Sequence, residues 1–185
     1  MCPFRILTFT APPDGGYETL IALALSPGIF VCGVDLAGPA SLVILIEAFP
    51  QDWAPVSSPA IAPLRWQSGA TLRTYRPRTS LPLFLADRIR APLFVFQGAN
   101  DPRVRLDQSD QIVHALAARG IPVTYLVAGN EGHSIDDPQN SVAVSRAIDL
   151  FLAHHLGGQP QPKVAESGEN AAIGLTVSTL AIALI

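Results

Sequence analysis

The chain has 185 residues, of which 49% are apolar, 7% aromatic and 15% charged, with a mean hydropathy of +0.33. That composition excludes a disordered, highly charged chain, and the length suits one domain or part of a larger one. The 12 basic and 15 acidic residues give a net charge of −3, and no basic stripe stands out, so nucleic acid is not an expected partner. Cys2 and Cys32 are the only cysteines. Two are too few for a disulfide-dense scaffold or a four-cysteine zinc site, and they leave the redox compartment open.

At the N-terminus Arg5 is a lone charge, and Ile6 to Thr10 is too short for the apolar core of a secretory signal, which makes a cytoplasmic location the default expectation. Ile6-Leu-Thr-Phe-Thr10 is β-branched and aromatic and reads as a strand. Asp14 can cap a helix from about Gly15 to Leu25, with Leu20, Ile21, Ala24 and Leu25 on one face. Ser26-Pro27-Gly28 stops it. Ile29 to Asp35 is a second, largely apolar strand, as expected where both faces are covered. Leu42 to Phe49 reads as helical.

Regularity then fails. Prolines stand at 50, 55, 59, 63, 77 and 82, with arginines at 65, 73, 76 and 78, so residues 50–82 read as a long irregular excursion. Order returns with a third strand, Pro92 to Gln97, and a loop from Gly98 to Arg105. A helix from Gln108 to Arg119 follows, with Ile112, Ala115 and Leu116 inward and Gly120 as its stop. Val123 to Val127 is a fourth strand and Ala128 to Asn140 a loop. Ser141 caps a last helix to about Leu156, with Val144, Ile148, Phe151 and Leu152 at core spacing, ended by Gly157-Gly158.

Strands alternating with helices predict an α/β fold: a partial parallel sheet of about four strands flanked by helices. The domain is expected over residues 1–158, and 159–185 reads as a linker and an apolar tail. Ala171 to Ile185 carries no charge. As a helix it would reach roughly 22 Å, short of a bilayer core of about 30 Å. A terminal strand, a surface helix or an appended segment is expected there instead of a membrane span.

Open parallel sheets place ligands at the carboxyl ends of their strands. Asp101 follows the third strand in Gln97-Gly-Ala-Asn-Asp-Pro-Arg-Val104, and His133 follows the fourth in Glu131-Gly-His-Ser134. Each alone is a common loop residue. Together, on loops that open at one edge, they read as the acid and base of a Ser-His-Asp triad, in the hydrolase chain order.

These segments resemble the prolyl oligopeptidase family of serine peptidases, in particular its dipeptidyl and acylaminoacyl peptidase members. The resemblance is carried by Ala86-Asp-Arg-Ile-Arg-Ala-Pro-Leu93, Gln97 to Val104, Arg119-Gly-Ile-Pro-Val-Thr-Tyr-Leu126, Glu131-Gly-His133 and Phe151 to Gly158. Gly15-Gly-Tyr17 and Gly33-Val-Asp-Leu-Ala-Gly-Pro39 add to it upstream. It implies the C-terminal part of an α/β-hydrolase catalytic domain, with Asp101 as triad acid and His133 as triad base. The implied substrate is a peptide or small acyl compound, with no cofactor and no metal.

The departure is at the nucleophile. The family has Gly-Gly-Ser-Tyr-Gly-Gly-Tyr where this chain has Ala11-Pro-Pro-Asp-Gly-Gly-Tyr17. Pro13 stands in the serine's place. Proline has no nucleophilic atom, and its φ near −65° does not suit the strained elbow. No Gly-x-Ser-x-Gly occurs elsewhere, and Thr10, Ser26 and Ser68 lack the setting. About five residues precede the elbow strand, so an earlier oxyanion-hole loop is not expected, and an apolar sheet edge is left open to self-association.

Other candidates are weaker. Asp35 ends the second strand as an alternative acid, a substrate contact or a loop cap. Cys32 reads as core and Cys2 as a terminal residue. His114 faces outward, and His154-His155 sit at a helix end, where cations favour the dipole. None has a zinc-ligand spacing. The expected function is therefore a serine-type peptidase or hydrolase that keeps acid and base but lacks the nucleophile and is inactive or impaired by itself. The alternatives are a non-catalytic module that binds a peptide or partner, and a truncated gene product.

Overall fold

The computed structural model of the protein describes residues 7–8, 15–41, 45, 82–160 and 175–176. Their strands form a single sheet in chain order. β1 (Leu7–Thr8), β2 (Gly33–Leu36), β3 (Leu93–Gly98) and β4 (Val123–Ala128) run parallel, and β5 (Leu175–Thr176) pairs antiparallel with β4. The expected four parallel strands are observed. Of the readings offered for the tail, a strand describes the two residues seen; the rest of 171–185 lies outside the described residues.

β3 explains how the layers assemble. All six of its positions are buried, because alternate side chains enter two different cores. Leu93 and Val95 pack with α1 (Gly15–Leu25), the 3-10 helix Pro82–Arg88 and α2 (Leu106–Ala117). Phe94 and Phe96 pack on the opposite face against Val144 and Phe151 of α3 (Pro138–Leu156). The Phe94 and Phe151 rings lie 5.7 Å apart at a tilted 59°. Full burial of side chains of this size stabilises by roughly 1.5–3 kcal/mol each. A helix on either face is what forbids polar alternation along the strand.

Several boundaries differ from the sequence reading. β2 begins at Gly33, not Ile29, because the turn after α1 extends further: the Ile29 N–H donates to the Ser26 carbonyl at 3.2 Å, and Ile29 is 41% exposed. Cys32 therefore precedes the strand, although it is fully buried. On α1, Leu23 takes the core position expected of Leu25, which is 52% exposed. α2 starts at Leu106 instead of Gln108, and Gln108 is buried. α3 is capped by Asp137, not Ser141: the Asp137 carboxylate accepts from the Gln139 N–H at 2.8 Å, and Pro138 fills the first turn, where its missing donor costs nothing.

The 3-10 helix Pro82–Arg88 begins at the last residue of the expected irregular excursion and occupies a stretch to which the sequence reading gives no element. Its Leu85 and Ala86 are buried against α1 and α2. Gly157 ends α3 in the left-handed conformation, with φ 73°, as the glycine pair predicts. The helix expected over 42–49 is described only at Leu45, which is helical, and residues 50–81 lie outside the described residues. Among the described residues no helix is long and apolar enough to cross a membrane.

Candidate active site

β3 and β4 pair in parallel from Leu93↔Val123 to Gly98↔Ala128, so both strands end at one level. Their following loops are then clasped together. The Ala99 N–H donates to the Ala128 carbonyl at 2.9 Å and the Asn100 N–H to the Glu131 carbonyl at 2.9 Å. The Asn100 side-chain amide donates to the Gly129 carbonyl at 2.8 Å. Gly98 is required here, since a β-carbon on it would run into the Gly132 carbonyl.

This clasp brings Asp101 and His133 together across 32 residues of chain: His133 Nδ1 lies 2.7 Å from Asp101 Oδ2. The Asp101 side chain is fully buried, while that of His133 keeps 14% of its surface exposed. Asp101 Oδ1 accepts from the backbone N–H groups of Arg103 at 2.7 Å and Val104 at 3.0 Å. Gln97 Nε2 approaches Oδ2 at 3.2 Å. Burial pushes the Asp101 carboxyl upward. The bonds from His133, Val104 and Arg103 more than offset this, so the group lies below the usual aspartate range. An ionised Asp101 only accepts, so Nδ1 of His133 carries the proton and Nε2 is left as the basic nitrogen of the neutral ring.

Glu131 fixes the histidine loop. It is only 2% exposed, yet three donors hold its carboxylate: the Asp136 N–H at 2.9 Å, the Asp137 N–H at 3.0 Å and Asn140 Nδ2 at 2.7 Å. Burial raises this group, and the bonds from Asn140, Asp136 and Asp137 bring it below its ordinary value. The loop bearing His133 is thus tied to the start of α3 by a charge the protein fully solvates.

Asp35 stands apart from this cluster. It ends the buried part of β2, where Oδ1 accepts from the Gly38 N–H at 2.8 Å, the loop-capping role among its three readings. Oδ2 has no hydrogen-bond partner among the described residues. A β-carbon on Gly16 or Gly38 would collide with this carboxylate, so both glycines are needed for α1 to start beside it. Burial, only partly opposed by the Gly38 N–H, pushes its pKa up to about 7.

The remaining candidates fall where their chemistry is quiet. Cys32 is buried in the core beneath α3, with its thiol raised by burial. His114 is exposed on α2. His154 and His155 stack edge-to-face at 4.8 Å in the last turn of α3, and burial, then His154, lowers His155. Among the described residues no group of three His, Cys, Asp or Glu could hold a metal ion. Pro13, Cys2, Thr10 and Ser68 lie outside the described residues. Sequence reasoning missed Gln97, Ser109, Glu131 and Asn140. The available signal was a polar residue inside an otherwise apolar strand, for Gln97, and a charge flanked by turn residues, for Glu131.

The family model described as the prolyl oligopeptidase family matches residues 14–159. Dipeptidyl peptidase family member 6 of Caenorhabditis elegans is 45% identical over 152 residues, which is 80% of this chain and 20% of the worm protein. Dipeptidyl aminopeptidase BIII of Pseudoxanthomonas mexicana is 42% identical over 151 residues, covering 80% of this chain and 21% of that protein. The solved structure of a puromycin-hydrolyzing peptidase of Mycobacterium tuberculosis superposes with a TM-score of 0.70 at 29% identity, over 81% of this chain and 22% of that one. The chain spans about a fifth of the length of these relatives.

Proposed function

Because the chain belongs to the prolyl oligopeptidase family, we propose that Asp101 and His133 are the acid and base of a serine-peptidase triad acting on peptide or small acyl substrates. The observation that carries this reading is the 2.7 Å contact between His133 Nδ1 and a fully buried Asp101 carboxylate. In that role Asp101 holds the ring in one tautomer and stabilises the imidazolium formed when Nε2 takes a proton from an attacking hydroxyl. As the reaction proceeds, the same proton passes to the leaving group. The buried carboxylate, held by two backbone N–H groups, does not need to move at either step.

The attacking hydroxyl is the missing part. Pro13 stands where the family's serine is expected, and the matched segment opens one residue later, at Asp14. Without a nucleophile no acyl-enzyme forms, so the chain by itself retains acid–base groups without peptidase turnover. Loss of a triad member leaves at most about 10³–10⁴-fold over water, from oxyanion hole and binding.

Hydrolysis of aminoacyl and acyl chromogenic esters and amides, by the chain and by its His133→Ala variant, tests this reading. Equal, background-level rates from two proteins with the same circular dichroism are expected. Turnover that disappears in His133→Ala would mean that a hydroxyl or thiol elsewhere works with His133, and the reading of Pro13 would be wrong.

A further inference from the structure

Resting on the assignment of Asp101 and His133 as acid and base, we infer that Gln97, locked in place by Ser109, is a positioning residue for that pair. Gln97 is fully buried near the end of β3, in a strand otherwise made of Leu, Phe, Val and Gly. A polar side chain placed there must find partners inside the protein. Its Oε1 accepts from the Ser109 hydroxyl at 2.9 Å. Its Nε2 donates to the Val104 carbonyl at 2.9 Å and the Gly98 carbonyl at 3.1 Å, and reaches Asp101 Oδ2 at 3.2 Å.

The amide has one workable orientation. Val104 and Gly98 offer carbonyl oxygens and Asp101 an ionised carboxylate, all of which only accept. A flipped amide would set Oε1 against three acceptors. Ser109, 1% exposed on α2, supplies the donor that makes the correct orientation pay. The three acceptors thereby fix which end of Gln97 faces the triad acid, and the Ser109 hydroxyl anchors the other end to α2.

The consequence falls on Asp101 Oδ2. Oδ1 is tethered by two backbone N–H groups, which hold one end of the carboxylate. Gln97 occupies one side of Oδ2 and leaves the other to His133 Nδ1. Removing Gln97 frees the carboxylate to turn about its tethered end, and it removes a donor that favours the ionised form. A residue that merely stabilised the 98–104 turn through the Val104 carbonyl would leave the Asp101–His133 bond unchanged.

Proton NMR of the full-length chain tests the difference. The readout is the downfield Nδ1 ring proton of His133, assigned by its absence in Asp101→Asn, with the ring ¹⁵N shifts reporting the tautomer. Three variants are compared, each with its amide dispersion as a check of folding. Q97M keeps the shape and removes the donors, so the bonded proton should be lost. S109A removes one hydroxyl and should leave the signal broadened and weakened. Q97E should keep the signal at low pH, where the introduced carboxyl is protonated and can donate, and lose it as that carboxyl ionises beside Asp101. The Q97E titration decides the matter if Q97M does not fold. A bonded proton that is unchanged in S109A and independent of pH in Q97E overturns the role of Gln97 while leaving the acid–base pair standing. A folded unmodified chain with no bonded ring proton overturns both.

Discussion

Replacing Asp35 by asparagine should stabilise the protein at neutral pH and leave its stability in acid unchanged. The carboxyl is fully buried, Oδ1 is engaged by the Gly38 N–H, and Oδ2 is unpartnered among the described residues. Burial raises its pKa from an ordinary 3.8 to about 7. The folded state therefore keeps a proton that the unfolded chain has already released. The contribution of this one group to stability is most favourable below about pH 4, falls as pH rises through the window between the two values, and is level above about 7. The gap from 3.8 to about 7 corresponds to about 4 kcal/mol, at 1.36 kcal/mol per pKa unit. That is a large part of a typical 5–15 kcal/mol. Asparagine keeps the acceptor for Gly38 and never ionises. Urea unfolding followed by circular dichroism, on both proteins from about pH 4 to about pH 8, reads the difference directly. Groups that titrate in both proteins cancel. The stabilisation should grow from near zero in acid to a few kcal/mol at pH 8. A difference independent of pH would refute the reasoning, because Asp35 would then be ionised throughout or solvated by a partner.

Substitutions at three further positions test the packing and the clasp. Glu131→Ala leaves two backbone N–H groups at the start of α3 without their acceptor and the Asn140 amide with only its bond to Asn130 Oδ1; a loss of about 3 kcal/mol in urea unfolding is expected. The Glu131 pKa is lowered in the folded state, so its stabilisation is present above the unfolded pKa and lost as pH falls through the folded one. Acid unfolding should accordingly be shallower in Glu131→Gln than in the unmodified chain. Gly98→Ala drives a methyl into the Gly132 carbonyl; it should cost about 1–3 kcal/mol by the same measurement and broaden the His133 ring-proton signal. Phe151→Ala empties the contact with Phe94 beneath α3 and should cost about 3–5 kcal/mol, with hydrogen exchange accelerating first along α3.

Much of this was legible in the sequence because the residues involved answer to local rules. Leu93 to Phe96 form an unbroken apolar run, and only a strand covered on both faces uses one. Val144, Ile148, Phe151 and Leu152 repeat at helical spacing, and all four gather in the core of Phe94 and Phe96, Val144 and Phe151 buried and Ile148 and Leu152 packed against them. Asp101 and His133 were legible because loops after parallel strands open at one edge. The errors arose where a residue's fate is set by contacts distant in sequence. Ile29 and Leu25 are as apolar as their buried neighbours, and nothing local says that the end of α1 and the turn after it leave them facing solvent. Asp137 carries a readable signal, an aspartate directly before a proline that suits the first helical turn. Gln97 depends on Ser109, 12 residues further along. Glu131 depends on helix donors that exist only once α3 has docked.

The Asp101–His133 contact stands beside a proline at position 13 without physical contradiction, because the hydrogen bonds described around the two residues come from elsewhere in the chain. The hydrogen bonds described around Asp101 come from Gln97, Arg103, Val104 and His133, and those of Glu131 from Asp136, Asp137 and Asn140. All of these residues lie between β3 and the first turn of α3. A buried carboxylate that loses a partner is ordinarily a severe defect. Here, removal of the His133 ring would still leave Asp101 with Gln97 and two backbone donors. His133→Ala should therefore fold with a modest loss of stability, whereas Gln97→Met, which strips the same carboxylate from its buried side, should cost more. Urea midpoints in that order would show that the site is anchored by the frame beneath it. The reverse order would mean that the imidazole itself is the main counterweight to the buried charge.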